Sequence, residues 1–376
     1  MGWGVSAPSQ RALERALSIL EIDLGAIAAN WRLLAGRAGA IEHLAAVVKA
    51  DAYGLGAARV ASTLAAAGCR LFFVATLDEG LALRRVLPEA EIAVLNGLLP
   101  AEPGAFARAR LVPVLNDLGQ IEAWRRFAWR HEAPAMLHID TGMARLGLAK
   151  DEAARLIAEP ERLAGITLRA ILSHLACAGE PEDPMNAAQR DAFRATLARL
   201  PPAPASLAAS SGLFLGPDYR FDFARPGAAL YGVNPLPGSP NPMRQVVHLS
   251  GRILQVREID RGESVGYGAA HRMGRAGRIA TVAVGYADGW LRSSSHRGSV
   301  GLSGRRVPVV GRISMDLLTL DVTECDPAQA RPGALVDLID ETYDVDAAAA
   351  AAGTIGYEIL TSIGRRALRL YRGGPA

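Results

Sequence analysis

Leu44-Ala45-Ala46-Val47-Val48-Lys49-Ala50-Asp51-Ala52-Tyr53-Gly54 joins an uninterrupted apolar run to a lysine and then to a short polar turn. An apolar run of this length, stopped by turn residues, fits a strand buried on both faces, as in a parallel sheet covered by helices. The lysine at its end stands out because the chain carries 41 Lys+Arg, and only Lys49 and Lys150 are lysines. Arginine does nearly all the surface cation work. A guanidinium stays protonated, whereas a lysine amine can lose its proton and attack a carbonyl to form a Schiff base. The stretch reads as a strand delivering one amine to a pocket.

Outward from it, strand-like runs recur at 44–49, 71–75, 91–95, 111–115, 135–139, 167–174, 205–209 and 226–230. Amphipathic stretches at 56–67, 78–87, 117–129, 151–158 and 187–200 separate most of them, several opening on Asp, a good N-cap. Eight strands alternating with helices predict an α/β fold, a (β/α)8 TIM barrel, with a doubly wound open sheet as the alternative. A Pro/Gly-rich break at 234–242 reads as a linker. Beyond it, short β-type runs at 246–256, 277–285, 299–302, 307–311, 317–322 and 334–339 predict a mostly β domain, a small barrel or sandwich. Short helices are expected in the Ala-rich segment and near 357–363.

The composition narrows the function classes. A chain of 376 residues with 21% charged residues and a net charge of +3 fits a two-domain globular protein. Near-balanced charge gives no argument for nucleic acid or an anionic membrane surface. Arg11, Glu14 and Arg15 interrupt any signal-peptide core, and no apolar stretch approaches a membrane span. Cys69, Cys177 and Cys325 form neither a disulfide framework nor a metal motif, so a reducing cytoplasm and no metal are expected.

In a (β/α)8 barrel, reactive groups gather at the carboxyl ends of the strands. Lys49 and Tyr53, the Asp140-Thr141-Gly142-Met143-Ala144-Arg145 loop, His174, Ser210-Ser211-Gly212 and Arg225-Pro226-Gly227 all fall there. Each has an ordinary alternative: a Lys49–Asp51 ion pair, a hydrogen-bonded core histidine, a plain serine turn, a structural arginine. Their agreement on one end of the barrel is what favours a site.

At this point the residues resemble a family. Val47-Val48-Lys49-Ala50-Asp51-Ala52-Tyr53-Gly54-Leu55-Gly56 resembles the cofactor-lysine signature of alanine racemases, and Asp140–Gly147 in sequence order resembles their substrate-side arginine loop. Residues 225–232 resemble the eighth-strand motif. Val265-Gly266-Tyr267-Gly268, 284–289, 311–316 and Gly356-Tyr357-Glu358 follow in family order. The resemblance implies a pyridoxal 5′-phosphate enzyme of fold-type III. Lys49 would carry the cofactor as a Schiff base and serve as the base on one face of the substrate α-carbon, and Tyr267 as the base on the other. A phenol with an ordinary pKa of ~10 needs coupling to neighbours to act near neutrality, and His174 matches the histidine placed behind it. Arg225 would face the pyridine nitrogen. Arg145 would hold the substrate carboxylate. Tyr53, Ser211, Gly227, Ala228 and Tyr357 would surround the phosphate. Tyr286, Met315 and Asp316 would line the substrate entrance.

The same resemblance implies a homodimer with shared active sites and residues 1–22 joining the β domain. The barrel would then span 23–236 and the β domain 237–376. His138 departs from the family: many members carry a lysine there, often carbamylated, that orients the substrate arginine. Ser314 stands where cysteine is common, and Ser210 replaces a frequent asparagine. The function implied is L-/D-alanine interconversion supplying peptidoglycan. A broad-specificity racemase acting on serine or other amino acids and a non-catalytic pyridoxal phosphate-binding protein are the alternatives. Decarboxylases are disfavoured by the Tyr267 motif and by Arg225.

Overall fold

The computed structural model describes residues 9–99, 103–128 and 133–374. The expectation for residues 1–22 therefore lies partly outside the described residues, as does the end of the 117–129 stretch. The chain divides into two compact units. One comprises Ile27–Leu230 with Asn234–Arg244. The other comprises the residues up to Ala26, Tyr231–Val233 and Gln245–Gly374.

The first unit is a parallel sheet of seven strands in sequence order: Ala46–Val47, Leu71–Val74, Glu91–Val94, Leu111–Leu115, Ala133–His138, Ile166–Leu172 and Ala205–Ser206. Sequential parallel pairing requires a crossover between neighbours, and the helices Ala57–Ala66, Leu77–Val86, Leu118–Ala128, Lys150–Ala158 and Pro184–Leu197 lie in those crossovers. The strands read as continuous apolar runs because both faces are covered: Phe72, Phe73, Ile92, Ala93, Val94, Val114 and Leu115 are all buried.

The eighth strand differs from expectation. Residues 226–230 do not extend as a strand; Ala228–Tyr231 forms a 3-10 turn. The sheet is closed slightly earlier. Leu44 and Ala224 form a parallel bridge, Ala45 N–H donates to the Ala224 carbonyl at 2.9 Å, and Val47 N–H donates to the Pro226 carbonyl at 3.0 Å. Arg225 N–H reaches the Ala208 carbonyl at 2.9 Å on the other side. The eighth position is thus a few extended residues between the last and first strands, which completes the (β/α)8 barrel.

In the second unit, six strands form a ring: Gly277–Val282, Leu318–Asp321, Arg305–Val310, Ser299–Leu302, Leu335–Ile339 and Val247–Ile259, the last pairing back to the first. Val247–Ile259 is 13 residues long and serves three neighbours. Its first half also pairs antiparallel with Ser18–Asp23, which in turn pairs with Leu368–Arg372. Gly251 sits where a Cβ would lie 2.7 Å from Val284 and 2.9 Å from Val282, so only glycine lets the long strand approach those side chains so closely. Val345–Ala352, capped by Asp344, and Gly356–Ser362 are the two helices of this unit foreseen in the sequence.

Candidate active site

Lys49 follows the short first barrel strand and begins a backbone feature that the sequence does not announce. Ala50, Asp51, Ala52 and Tyr53 all have φ of 53–54°, a left-handed turn made of four consecutive non-glycine residues. Left-handed conformation costs L-residues roughly 1–2 kcal/mol each, so the surroundings must hold it. Ala52 N–H donates to the Val48 carbonyl at 2.9 Å and Gly54 N–H to the Ala50 carbonyl at 2.7 Å. Asp51 accepts the Ala57 N–H at 2.7 Å, capping the next helix rather than pairing with Lys49. Glu79 accepts the Ala50 N–H at 2.7 Å.

The turn delivers Tyr53 into the barrel interior, where it is buried. Its phenol lies against Gly227: a Cβ there would come within 2.4 Å of the Tyr53 hydroxyl. Ser210 Oγ accepts the N–H groups of both Gly227 and Ala229 at 3.1 Å, tying the seventh-strand loop to the eighth. Gly227 therefore contributes chiefly by lacking a side chain. Ser211 opens the 3-10 turn Ser211–Phe214 directly after Ser210, and Ala228 opens the neighbouring one.

Arg225 is buried at 5% exposure. Its guanidinium donates to the Ser206 carbonyl at 2.8 Å, to Ser206 Oγ and to the Ser173 carbonyl. Burial pulls its pKa down to about 10, which still leaves it charged near neutrality. Arg145 lies on a loop closed by the Asp140 N–H to Leu148 carbonyl and Leu148 N–H to His138 carbonyl bonds, at 3.0 and 2.8 Å. The Asp140 carboxylate accepts the N–H groups of Gly142, Met143 and Ala144 at 2.8–2.9 Å, so this aspartate shapes the loop.

His174 is the group on which the site's charges converge. Burial first, then Arg225, Arg145, His138 and Lys49, push its pKa down to about 3. Burial, with Arg225 and Arg145, lowers His138 to about 4 against the opposing Asp140. Both imidazoles are neutral near pH 7. Lys49 is lowered chiefly by burial and then by Arg145, with Glu79 opposing.

The tautomer of His138 follows from its partners. Leu115 and Leu137 are register partners on adjacent strands, which puts Asn116 beside His138. Asn116 Nδ2 donates to the Leu95 and Val114 carbonyls at 3.0 and 2.8 Å, so its Oδ1 is the acceptor facing His138 Nδ1 at 2.8 Å. Nδ1 therefore carries the proton and Nε2 keeps its lone pair. A neutral acceptor stands where the resemblance would place an anion.

In the β unit, Tyr267 lies in the 3-10 turn Tyr267–Ala269 between two glycines of positive φ, Gly266 and Gly268. The Arg312 guanidinium lies so close to Gly268 that a Cβ there would meet it at 2.9 Å. Tyr286 N–H and Ala287 N–H donate to the Ser314 and Met315 carbonyls at 3.1 and 2.9 Å, which joins the two entrance motifs. Gly285 is required there, since a Cβ would meet the Met315 carbonyl at 2.4 Å. Asp316 pairs with Arg366 at 2.6 Å. Ser314 Oγ donates to the Leu317 carbonyl at 2.8 Å. Tyr267, Met315, Tyr286 and Tyr357 are 71%, 53%, 42% and 38% exposed.

The barrel thus gathers Lys49, His138, Arg145, His174 and Arg225 into one electrostatic group. The β unit presents Tyr267, Tyr286, Met315, Asp316 and Tyr357 on its own surface. Sequence reasoning missed Glu79, Asn116 and Arg366. Only Glu79 left a local signal, the Thr76-x-x-Glu79 capping-box spacing.

An amine of lowered pKa, fixed cations, neutral imidazoles and a glycine cradle suit an anionic carbonyl compound bound at a lysine, the chemistry of barrel enzymes that use a Schiff-base cofactor. The comparisons with known proteins give the particular family. The family model described as alanine racemase, N-terminal domain, matches residues 22–235, and that described as alanine racemase, C-terminal domain, matches residues 246–371. The chain belongs to the alanine racemase family. It is 54% identical over 354 residues to an alanine racemase of Acidiphilium cryptum, covering 94% of this chain and 98% of that one. A catabolic alanine racemase of Mesorhizobium japonicum is 49% identical, with 99% and 96% covered. The solved alanine racemase of Bartonella henselae with covalently bound pyridoxal phosphate superposes with a TM-score of 0.91 at 42% identity, covering 95% of this chain and all of that one.

Proposed function

We propose that the protein is a pyridoxal 5′-phosphate-dependent isomerase that interconverts L- and D-alanine, with Lys49 and Tyr267 acting on opposite faces of the substrate α-carbon. The observation that carries this is the partly buried Lys49 amine of lowered pKa, set among Arg145, His174 and Arg225 in a chain that matches both family domains. When bound, pyridoxal phosphate supplies the electron sink that acidifies the α-proton.

The chain's own groups do the rest. Lowering the Lys49 pKa raises the free-base fraction that both carbonyl attack and proton abstraction need. Arg225 offers a cation held by two backbone carbonyls and one hydroxyl to the cofactor's pyridine nitrogen, which disfavours a proton there and favours simple exchange at the α-carbon. Arg145 takes the substrate carboxylate with its forked donors. Tyr53, Ser211, Gly227 and Ala228 form the barrel's phosphate cradle, and Tyr357 is a further phosphate ligand. Tyr286, Met315 and Asp316 belong to the substrate entrance. The second base is Tyr267 of the partner subunit, so the working form is a homodimer with shared sites. The exposure of Tyr267 in its own chain supports that reading.

No helix among the described residues is long and apolar enough to cross a membrane. We place the protein in the cytoplasm, supplying D-alanine for peptidoglycan. The test is to follow the optical rotation of L-alanine with and without added cofactor, and to trap the cofactor with borohydride. The expected results are decay of rotation to zero and a pyridoxyl group on Lys49. Stable rotation, or a label on Lys150, refutes the proposal.

A further inference from the structure

The left-handed turn after Lys49 is held from outside by one side chain that no catalytic role explains. Glu79 lies in the first turn of the helix Leu77–Val86, which follows the second barrel strand. One of its oxygens accepts the Ala50 N–H at 2.7 Å. The other accepts the Ala75 N–H at 2.7 Å and, more loosely, the Thr76 N–H at 3.4 Å. The Glu79 N–H in turn donates to Thr76 Oγ1 at 3.3 Å, completing a capping box. An ordinary capping-box glutamate serves its own helix. This one also reaches the first strained residue of a neighbouring strand's turn.

We propose that Glu79 is a positioning residue for Lys49. Its carboxylate joins the end of the second barrel strand to the left-handed turn of the first, and so fixes the direction of the lysine amine and the seating of Tyr53 against Gly227. Two observations carry this. Four successive non-glycine residues are left-handed, and such a turn relaxes unless something outside it holds the backbone. The Ala50 N–H to Glu79 bond joins that turn to the helix-bearing loop of the next strand. A carboxylate accepting backbone N–H groups makes charge-assisted bonds, stronger than those of a neutral acceptor. Glu79 also counters the effect of Arg145 on the Lys49 amine. The proposal rests on Lys49 as the cofactor lysine, and its test separates the two ideas.

Three variants decide it. Glu79→Ala removes both halves of the clamp. Glu79→Gln keeps one acceptor oxygen and a near-identical shape. Thr76→Val removes the hydroxyl of the capping box and leaves the bond to Ala50. The readouts are amide hydrogen exchange across residues 49–56 in the holoenzyme and the dissociation constant for pyridoxal phosphate. For Glu79→Ala, exchange at Ala50 and its neighbours is expected to accelerate and cofactor affinity to fall, each on the order of tenfold. Glu79→Gln is expected to recover part of both, and Thr76→Val to match the parent protein. If Glu79→Ala does not fold, the comparison of Glu79→Gln with Thr76→Val stands alone. Equal effects in those two reduce Glu79 to a helix cap and overturn the proposal, as does unchanged exchange at Ala50. Faster exchange with unchanged cofactor affinity also overturns it. Borohydride labelling of Lys49 in the same preparations reports independently on the cofactor lysine.

Discussion

The barrel and the β unit carry reactive groups in opposite ways. In the barrel, Arg225 is buried and tied to Ser206 and Ser173, Tyr53 is wedged against Gly227, and His174 lies under the influence of four other site residues. In the β unit, Tyr267, Met315 and Tyr286 are large side chains left open to solvent, whereas burial raises the Tyr357 phenol pKa. The barrel residues are set by their own unit's packing. Those of the β unit are fixed in backbone, through Gly266, Gly268 and Gly285, with their side chains still exposed. A site assembled from two copies of the chain would produce this asymmetry.

The largest expected effect breaks the two halves separately. Lys49→Ala and Tyr267→Ala should each lose activity by roughly 10³-fold or more, within the range that single acid–base or nucleophilic groups supply. Mixing the two inactive proteins and verifying the heterodimer should restore activity, because one of its sites keeps both groups. A verified heterodimer without activity refutes shared sites.

Stability should separate the halves next. Arg225→Met leaves the Ser173 carbonyl without its guanidinium donor, at a cost of about 1–3 kcal/mol, while the Ser206 carbonyl keeps the Ser173 N–H at 3.0 Å. Tyr267→Ala, at a position exposed in its own chain, should change the unfolding free energy of the subunit itself, apart from dimer dissociation, by only about 0.5 kcal/mol. Urea unfolding of both variants checks this, and equal destabilisation would remove the contrast.

The smallest effect is one of pH. His138 and His174 have folded pKa values of about 4 and about 3, below the ordinary 6.5. Below pH 6.5 the unfolded chain takes up protons that the folded barrel excludes. Their contribution to stability is therefore present above pH 6.5 and is lost as pH falls toward 4, with a slope approaching about 1.4 kcal/mol per pH unit for each histidine. His138→Gln should flatten the dependence between pH 6 and 4.5 by one histidine's share, measured as the shift of the urea midpoint at each pH. An unchanged slope would mean that His138 is protonated in the folded protein.

The sequence yielded the strands because parallel strands buried on both faces appear as apolar runs, and seven of eight fell where expected. The eighth run, 226–230, is equally apolar, but Ala228, Ala229, Leu230 and Tyr231 are buried in a 3-10 turn, and burial alone does not distinguish turn from strand. Lys49 was legible because lysine is rare in this chain. The left-handed turn behind it was not, since Ala50, Asp51, Ala52 and Tyr53 include no glycine to signal positive φ. Asn116 escaped notice because its link to His138 exists only through the register of neighbouring strands.

The most direct test of the central claim is α-proton exchange in deuterated water, followed separately from L- and D-alanine in Tyr267→Phe protein that keeps its cofactor. Two bases on opposite faces predict that exchange from one enantiomer falls by at least about 10²-fold while the other still exchanges through Lys49. Equal losses from both enantiomers, or none from either, would contradict the account.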